Sequence, residues 1–357
     1  MAKLRALLVG ATGIAGQQFV SALRDHPWFE IAAVAASPRN AGKRYDEAVG
    51  ASGWFLAEPV PASVGALRLL DPGQPVRGVD LVFSAVESDV ARELEPRLAA
   101  ELPVISAASA FRMEPDVPLL IPPINAAHLG LLAAQHARGW RGSIAPIPNC
   151  TVTGLAIVLA PLAERFGIRS VVMTSLQAVS GAGRSPGVAA LDVLDNVVPY
   201  IAKEEGKVEQ EARKILGRWA SGSAAVEPLP LRVSATCTRV PVQDGHTESV
   251  SIGLQRPASV EEVKEALRSW EGSPDARDLP SSPPRWIEVL EANDRPQPRL
   301  DRDTHGGMAT SVGRVREDPV LENGVKLVLV SHNTKMGAAK GAVLVAELMR
   351  ARGLLAR

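Results

Sequence analysis

The chain has 357 residues, of which 46% are hydrophobic and 22% are charged, so a globally disordered protein is excluded. Its 39 basic and 39 acidic residues give no net charge, so we expect neither nucleic acid nor an anionic membrane as partner. The length is typical of two domains.

The first half of the chain alternates short apolar runs with helical patterns. An apolar run of strand length at 4–9 is followed by helical spacing from 15 to 23. Similar runs recur at 31–36 and 80–86, and a helical stretch follows at 91–98. Strands that alternate with helices predict an N-terminal Rossmann-like α/β fold with a doubly wound parallel sheet.

From about residue 150 the pattern changes. Residues 151–166 predict a helix, and 171–179 and 231–254 predict strands of a second sheet. Ser259 and Glu262 form a capping-box pattern at the start of another helix. The second half therefore predicts an α+β domain.

The end of the chain predicts one more amphipathic helix, with Ala342, Ala346 and Met349 on one face and Gly353 after its end. We expect this helix to return to the first domain. The resulting boundaries are 1–149 plus 334–357 for a cofactor-binding domain and 150–333 for a catalytic and dimerisation domain.

The sequence Gly-Ala-Thr-Gly-Ile-Ala-Gly at 10–16 stands between the first strand and the first helix. Glycines let backbone amides approach a pyrophosphate, and the helix N-terminus favours its negative charge. An ordinary glycine-rich turn is the alternative. The candidate cofactor contacts are Gly10, Thr12, Gly13 and Ile14.

The end of the second strand indicates which dinucleotide binds. NAD enzymes usually carry a carboxylate there for the ribose 2′-hydroxyl, whereas this chain has Ser37, Arg39 and Lys43. A cation suits a 2′-phosphate, so NADP is the predicted cofactor. Alternatively, Arg39 is a solvated loop charge.

Cys150 directly precedes the helical stretch at 151–166, in the sequence Pro-Asn-Cys-Thr. A helix N-terminus lowers the pKa of a thiol and supplies amide donors for an oxyanion. Cys150 is therefore a candidate nucleophile, although a free cysteine is also commonly a small buried hydrophobe. Cys237 alternates with apolar residues in a strand pattern and is predicted to be core. Two cysteines are too few for a disulfide scaffold and favour a reducing cytoplasm.

Arg239 and His246 flank an Asp-Gly turn signal at residues 244 and 245. Folding at this turn is expected to bring the two side chains together at one end of the second sheet. Arginine can clamp a carboxylate, and histidine can exchange protons near neutral pH. No spacing among the six histidines suggests a metal site.

Together these residues resemble the aspartate-β-semialdehyde dehydrogenase family, particularly its archaeal and fungal branch, over nearly the whole chain. The motifs that carry the resemblance are the glycine loop, the Ser37–Lys43 segment, Pro-Asn-Cys-Thr at 148–151, Arg-Val-Pro-Val with Asp-Gly-His at 239–246, Arg-Pro-Gln-Pro at 295–298, Ser-Val-Gly-Arg at 311–314 and Asn-Thr with Gly-Ala-Ala at 333–339.

The resemblance implies an NADP-dependent, oligomeric enzyme that reductively dephosphorylates aspartyl-4-phosphate for lysine, threonine and methionine biosynthesis. Cys150 would be the acylated nucleophile, His246 the acid and base, and Gln177 the residue that orients the acyl group. Substrate contacts would come from Arg239, Arg112, Glu205 and Asn149. Further cofactor contacts would come from Ser84, Ser180, Gly181 and Asn333.

Three rival functions remain. Malonyl-CoA reductase resembles the same branch and uses the same thiol chemistry on a CoA thioester, and N-acetyl-γ-glutamyl-phosphate reductase is a more distant relative. A nucleotide-binding sensor without turnover would belong to another class. The presence of both Cys150 and His246 favours an enzyme over a sensor.

Overall fold

A computed structural model describes residues 2–183 and 188–355, and over these residues the strands form two six-stranded sheets. The strands are β1 (Leu4–Val9), β2 (Phe29–Ala35), β3 (Leu69–Leu70), β4 (Leu81–Ser84), β5 (Pro103–Ser106), β6 (Ser143–Pro146), β7 (Ile168–Gln177), β8 (Arg232–Arg239), β9 (His246–Leu254), β10 (Ile287–Val289), β11 (Thr310–Glu317) and β12 (Gly324–Ser331). The helices are α1 (Ile14–Ala22), α2 (Tyr45–Ser52), α3 (Ala62–Gly65), α4 (Ser88–Ala99), α5 (Pro122–Asn125), α6 (Leu132–His136), α7 (Cys150–Phe166), α8 (Ala190–Val193), α9 (Glu204–Ile215), α10 (Val260–Arg268), α11 (Pro298–Asp301) and α12 (Lys340–Ala351).

The first sheet is parallel throughout and has the order β3-β2-β1-β4-β5-β6. This is the strand order of a dinucleotide-binding Rossmann fold. The central strands β1 and β4 are almost entirely buried, as expected for apolar strands covered by helices on both faces. The crevice where the order reverses lies between β1 and β4, and ligands of such folds bind there. The predicted fold of the N-terminal half is confirmed.

The second sheet is mixed and has the order β10-β11-β12-β9-β7-β8. It confirms the predicted α+β second half. The strands on either side of the Asp-Gly turn do not pair with each other, because β7 lies between β8 and β9 and pairs with both. A strand with apolar residues on one face can use either edge for pairing, so the turn signal alone did not determine the order.

Helix α7 connects the two sheets. It begins four residues after β6 of the first sheet and packs against β7, β9 and β12 of the second. Thirteen of its 17 residues are buried, which agrees with its apolar composition on every side. Its first residue, Cys150, therefore lies where the carboxyl edge of the first sheet meets the second sheet.

Helix α12 packs against α1 and β5 of the first sheet. Residues 341–349 are buried without interruption, so the predicted amphipathic pattern of this helix is wrong. An apolar stripe of alanine and methionine does not show whether a second layer covers the opposite face of the helix. Nowhere in residues 2–183 and 188–355 is a helix both long and apolar enough to cross a bilayer.

Candidate active site

A cavity of about 780 Å³ opens between the carboxyl edge of the first sheet and the second sheet. Both halves of the chain contribute to its walls. The lining includes Ile14, Ala85, Arg112, Asn149, Cys150, Ser180, Gly181, Glu204, Lys207, Arg239 and Asn333. Candidate residues separated by more than 300 positions in the sequence thus share one space.

Asn149 caps helix α7 and so fixes the position of Cys150. Its side-chain Oδ1 accepts hydrogen bonds from the backbone N–H groups of Thr151 (2.9 Å) and Val152 (3.3 Å). Asparagine is among the best helix caps because it satisfies these otherwise unpaired donors. The thiol of Cys150 consequently lies at the positive end of a 17-residue helix.

His246 is the side chain in contact with this thiol. Its Nε2 lies 3.1 Å from Cys150 Sγ, and its Nδ1 accepts the backbone N–H of Ala178 at 3.1 Å. A backbone N–H can only donate, so the neutral imidazole carries its proton on Nε2. The ring therefore presents an N–H donor to the sulfur.

Burial makes both members of this pair neutral in the unliganded protein. It raises the pKa of the Cys150 thiol to about 12, with a further increase from the Glu204 carboxylate. The cations of Arg112 and Arg239 and the Thr151 amide act in the opposite direction. Burial, reinforced by the Arg239 charge, lowers the pKa of His246 to about 3. The amide at the helix N-terminus lowers the thiol pKa, as expected, but burial raises this pKa by more, so the net shift is upward.

The raised pKa of the Cys150 thiol predicts how the rate of its alkylation depends on pH. Iodoacetamide reacts with the thiolate, whose fraction rises about tenfold per pH unit at every pH well below the thiol pKa. We expect the alkylation rate of the ligand-free protein to rise in this way from pH 6.5 to 9 without a plateau. Cys150→Ser supplies the background from Cys237, which is fully buried. A plateau below pH 8 would show an activated thiolate instead.

Arg239 and Gly181 complete the wall beside His246. The NH1 group of Arg239 donates to the Ala178 carbonyl at 2.7 Å, which orients the guanidinium at the end of β8. A Cβ on Gly181 would lie 3.2 Å from both Arg239 NH1 and His246 Cε1. The loop after β7 therefore approaches both side chains closely only because residue 181 is glycine.

Asn333 connects this loop to the histidine. Its Nδ2 donates to Ser180 Oγ at 2.8 Å, and its Oδ1 accepts the backbone N–H of Gly245 at 2.8 Å. The amide thus ties the residue before His246 to the loop that contains Gly181. Ser180, Gly181 and Asn333 all line the cavity.

The glycine loop leads into the opposite wall, which the first turn of α1 forms. Gly10 has a positive φ of 76°, and a Cβ there would lie 2.3 Å from the Ala85 carbonyl. A Cβ on Gly16 would lie 2.3 Å from the Gly10 carbonyl, so both positions require glycine. Gly13 caps α1, and Ile14 faces the cavity. The first turn of α1 and its N–H groups border the space.

Three charged side chains form the polar end of the cavity. Arg112 contributes from the first half of the chain, and Glu204 and Lys207 contribute from α9. Lys207 Nζ donates to Glu204 Oε2 at 3.2 Å, and Asn149 Nδ2 donates to Glu204 Oε1 at 2.7 Å. Lys207 was missed by sequence reasoning, although its place three residues after Glu204 puts both on one helix face.

The choice of Glu205 as the substrate carboxylate is not supported by its position. Glu205 is absent from the cavity wall, and its Oε1 accepts the backbone N–H of Cys237 at 3.1 Å. Consecutive helical residues point about 100° apart, so only one of two adjacent glutamates can face the site. That residue is Glu204.

Several further candidates do not line the cavity, namely His246, Gln177, Ser84, Ser37, Arg39 and the loop residues Gly10, Thr12 and Gly13. Ser84 is fully buried, and Gln177 is buried with its Nε2 donating to Ser175 Oγ at 3.2 Å. Ser37 and Arg39 are exposed at the end of β2. Ser84 therefore does not face the space, whereas Ser37 and Arg39 stand beyond its edge on the β2 side.

Comparisons with known proteins agree with the fold. Residues 5–132 match the family model described as "Semialdehyde dehydrogenase, NAD binding domain", and residues 159–336 match "Semialdehyde dehydrogenase, dimerisation domain". These two models place the chain among the semialdehyde dehydrogenases.

Individual relatives indicate which semialdehyde dehydrogenase family the chain belongs to. The aspartate-semialdehyde dehydrogenase of Archaeoglobus fulgidus is 46% identical over 96% of both chains, and that of Candida albicans is 43% identical over 99% of this chain and 100% of its own. A crystal structure of the C. albicans enzyme with NADP superimposes with a TM-score of 0.89, at 41% identity, over 98% of this chain and 99% of the other. The chain belongs to the aspartate-semialdehyde dehydrogenase family.

Proposed function

We propose that this protein catalyses the NADP-dependent reductive dephosphorylation of aspartyl-4-phosphate to aspartate semialdehyde. The observation that carries the proposal is the 3.1 Å contact between Cys150 Sγ and His246 Nε2 at a cavity lined by Arg112, Glu204 and Arg239. A thiol beside a hydrogen-bond donor suits covalent acyl transfer. The family of the chain supports the same reaction.

The charges of the cavity complement those of aspartyl phosphate. This substrate has an α-carboxylate, an α-ammonium group and a phosphate. We assign the carboxylate to the Arg239 guanidinium, the ammonium group to Glu204, and the phosphate to Arg112 and Lys207. Cys150 lies among these groups, so a substrate held at both ends presents its acyl carbon to Sγ.

In the acylation step, Cys150 Sγ attacks the acyl carbon and the carbon–oxygen bond to phosphate breaks. The thiol loses one proton and the departing phosphate takes one up, so the step needs no proton from outside the site. The Asn149 cap already accepts the N–H groups of Thr151 and Val152, so the donors for the oxyanion are the backbone N–H of Cys150 and the His246 Nε2–H. The product is a thioester on Cys150.

In the reduction step, His246 holds the oxygen of the acyl group. A nicotinamide cofactor bound beside the glycine loop would supply the hydride for the thioester carbon. His246 Nε2–H then stabilises the resulting alkoxide, and collapse of the thiohemiacetal releases the aldehyde and the Cys150 thiolate. Gln177 is buried and lies opposite Arg239 in the pairing of β7 with β8. We therefore assign it an indirect role, in which it acts through Arg239 and does not touch the acyl group.

The residues around the glycine loop fit a dinucleotide. Gly10 and Gly16 keep the turn free of side chains, and the N-terminus of α1 faces the cavity. Thr12, Gly13, Ile14, Ser180, Gly181 and Asn333 are the other residues to which we assign cofactor contacts. Ser37 and Arg39, at the end of β2, would hold the 2′-phosphate.

Removing the Arg39 charge is expected to weaken the binding of NADP but not that of NAD. A charge-assisted hydrogen bond contributes about 1.5–3 kcal/mol, so Arg39→Gln should raise the KM for NADP about 10- to 100-fold and leave the KM for NAD nearly unchanged. Arg77→Gln is the matched control, since Arg77 is exposed in the turn between β3 and β4. Equal changes for the two cofactors would remove Arg39 from the 2′-phosphate site.

The direct test of the function is oxidation of aspartate semialdehyde in the presence of phosphate, run in parallel with NADP and NAD. We expect a phosphate-dependent reduction of NADP. NADPH oxidation by malonyl-CoA without this activity would indicate malonyl-CoA reductase, and inactivity with both substrates would indicate a sensor.

We also propose that the chain divides into two domains, one formed by residues 1–149 and 334–357 and the other by residues 150–333. The packing of α12 on α1 and β5 supports this division.

A homodimer or homotetramer is supported by the dimerisation model matched at 159–336 and by Val172 and Leu176, which are 48% and 38% exposed on the outer face of β7. We assign a cytoplasmic location because both cysteines are free thiols and the chemistry requires reduced Cys150. Light scattering would measure the mass of the assembly.

A further inference from the structure

Helix α9 carries a row of alternating charges, of which the first two line the cavity. Glu204, Lys207, Glu211 and Lys214 follow one another at spacings of three, four and three residues, so they share one face of the helix. Three of the four are at least 94% buried, namely Glu204, Glu211 and Lys214. Charged side chains are almost never buried to this degree unless they are paired. The substrate contacts assigned above use Glu204 and Lys207 and leave the other two unexplained.

Glu211 joins two parts of the candidate site through one carboxylate. Its Oε1 accepts from Arg112 NH1 at 3.0 Å, and its Oε2 accepts the backbone N–H of Asn149 at 2.7 Å. Arg112 is the residue assigned to phosphate, and Asn149 immediately precedes the nucleophile. A single buried side chain therefore sets the separation between the phosphate end of the cavity and Cys150.

Lys214 holds the same arginine from the opposite direction. Its Nζ donates to the backbone carbonyls of Arg112 at 2.8 Å and Glu114 at 2.7 Å. Arg112 NH2 donates to the Ala107 carbonyl at 2.9 Å, whereas its buried Nε–H meets no acceptor in the described part of the chain. The guanidinium is thus fixed by its neighbours and still retains a donor that the protein does not use.

We propose that Glu211 is a positioning residue that fixes the Arg112 guanidinium relative to Cys150, so that an acyl phosphate bound at Arg112 meets Sγ at reacting distance. The negative charge of Glu211 weakens the electrostatic attraction between Arg112 and phosphate. Its benefit must therefore come from the position that it gives the guanidinium. Misplacement of a reacting group by about 1 Å can cost about 10²-fold in rate. This inference rests on the proposed function and adds a residue that does not touch the substrate.

The test uses Glu211→Gln, which has one acceptor oxygen and so cannot serve both donors. In the oxidation of aspartate semialdehyde we expect the KM for phosphate to rise at least tenfold, while the KM for NADP changes less than threefold. Glu209→Gln makes the same substitution on the same helix, but Glu209 Oε1 faces the Ala235 backbone N–H at 3.4 Å. This control should leave the KM for phosphate unchanged.

A double-mutant comparison separates positioning from general damage. If Glu211 acts through Arg112, Glu211→Gln should change the KM for phosphate less than threefold in an Arg112→Gln background. An equal effect in both backgrounds would overturn the proposal. Should Glu211→Gln fail to fold, Glu211→Asp keeps the charge but is one methylene too short to reach both donors, and the same rise is expected.

A binding measurement keeps this inference distinct from the proposed function. Inorganic phosphate should raise the thermal midpoint of the wild type and of Glu209→Gln, and raise that of Glu211→Gln much less. If the wild type fails to oxidise aspartate semialdehyde but shows this pattern, the proposed function fails and the role of Glu211 at an anion site stands. An unchanged response in Glu211→Gln, or none in the wild type, overturns the inference.

Discussion

Replacing Cys150 by alanine is expected to abolish turnover, with kcat reduced at least about 10⁴-fold, while NADP still binds. No other thiol can attack the acyl group, because Cys237 is fully buried in β8. The cofactor contacts lie on other segments, at the glycine loop and the end of β2. Initial rates with aspartate semialdehyde and phosphate, together with a fluorescence titration of NADPH binding, measure the two effects separately.

Cys237→Ala is the matched control for this substitution. It removes the other thiol of the chain and should preserve the rate, at a cost of about 1 kcal/mol in the free energy of unfolding for the small buried cavity. Wild-type rates in Cys150→Ala would refute the covalent route. Loss of NADPH binding in the same variant would show instead that the substitution disturbs the fold.

Removal of the His246 side chain should have the second largest effect. We expect His246→Ala to lower kcat about 10²- to 10⁴-fold, because the oxyanion and the thiolate lose their donor. His246→Gln offers an amide N–H in place of Nε2–H, so its kcat should be at least tenfold higher than that of His246→Ala. A glutamine amide can replace a neutral hydrogen-bond donor, whereas it cannot replace a group that takes up and releases a proton.

The pH profile gives an independent check on the role of His246. Its pKa is lowered to about 3 in the protein without substrate, so the ring stays neutral above roughly pH 4 and should produce no break in kcat/KM near pH 6.5. His136→Gln, at an exposed position on α6, is the control that should change neither rate nor profile. A break near pH 6.5 that disappears in His246→Gln would restore the acid and base assignment.

Local patterns predicted the parts of the site that depend on neighbouring residues in the chain. The apolar run before Gly10 and the helical spacing after it indicated a strand, turn and helix, and the structure has all three. The capping box of Ser259 and Glu262 forms as predicted. Such features depend on hydrogen bonds and steric limits within a few residues, so their sequence signals are strong.

Predictions that depended on distant residues were less accurate. Glu204 and Glu205 cannot be told apart until the direction of α9 relative to the cavity is known. The thiol pKa required the depth of burial as well as the helix terminus, and the two influences oppose each other. The role of Glu211 could not be read from the sequence, because its partners Arg112 and Asn149 lie 99 and 62 positions away.

The order of residues along the chain was sufficient to define two sheets, a dinucleotide loop and a thiol at the start of a helix. Each of these follows from backbone sterics, side-chain periodicity and glycine at positions where a Cβ does not fit. Only the tertiary structure determined that β7 separates β8 from β9, that His246 donates through Nε2 to Cys150, and that α9 links Arg112 to the nucleophile. These features arise from packing between segments far apart in sequence, where direction and desolvation decide which groups meet and which of them are charged.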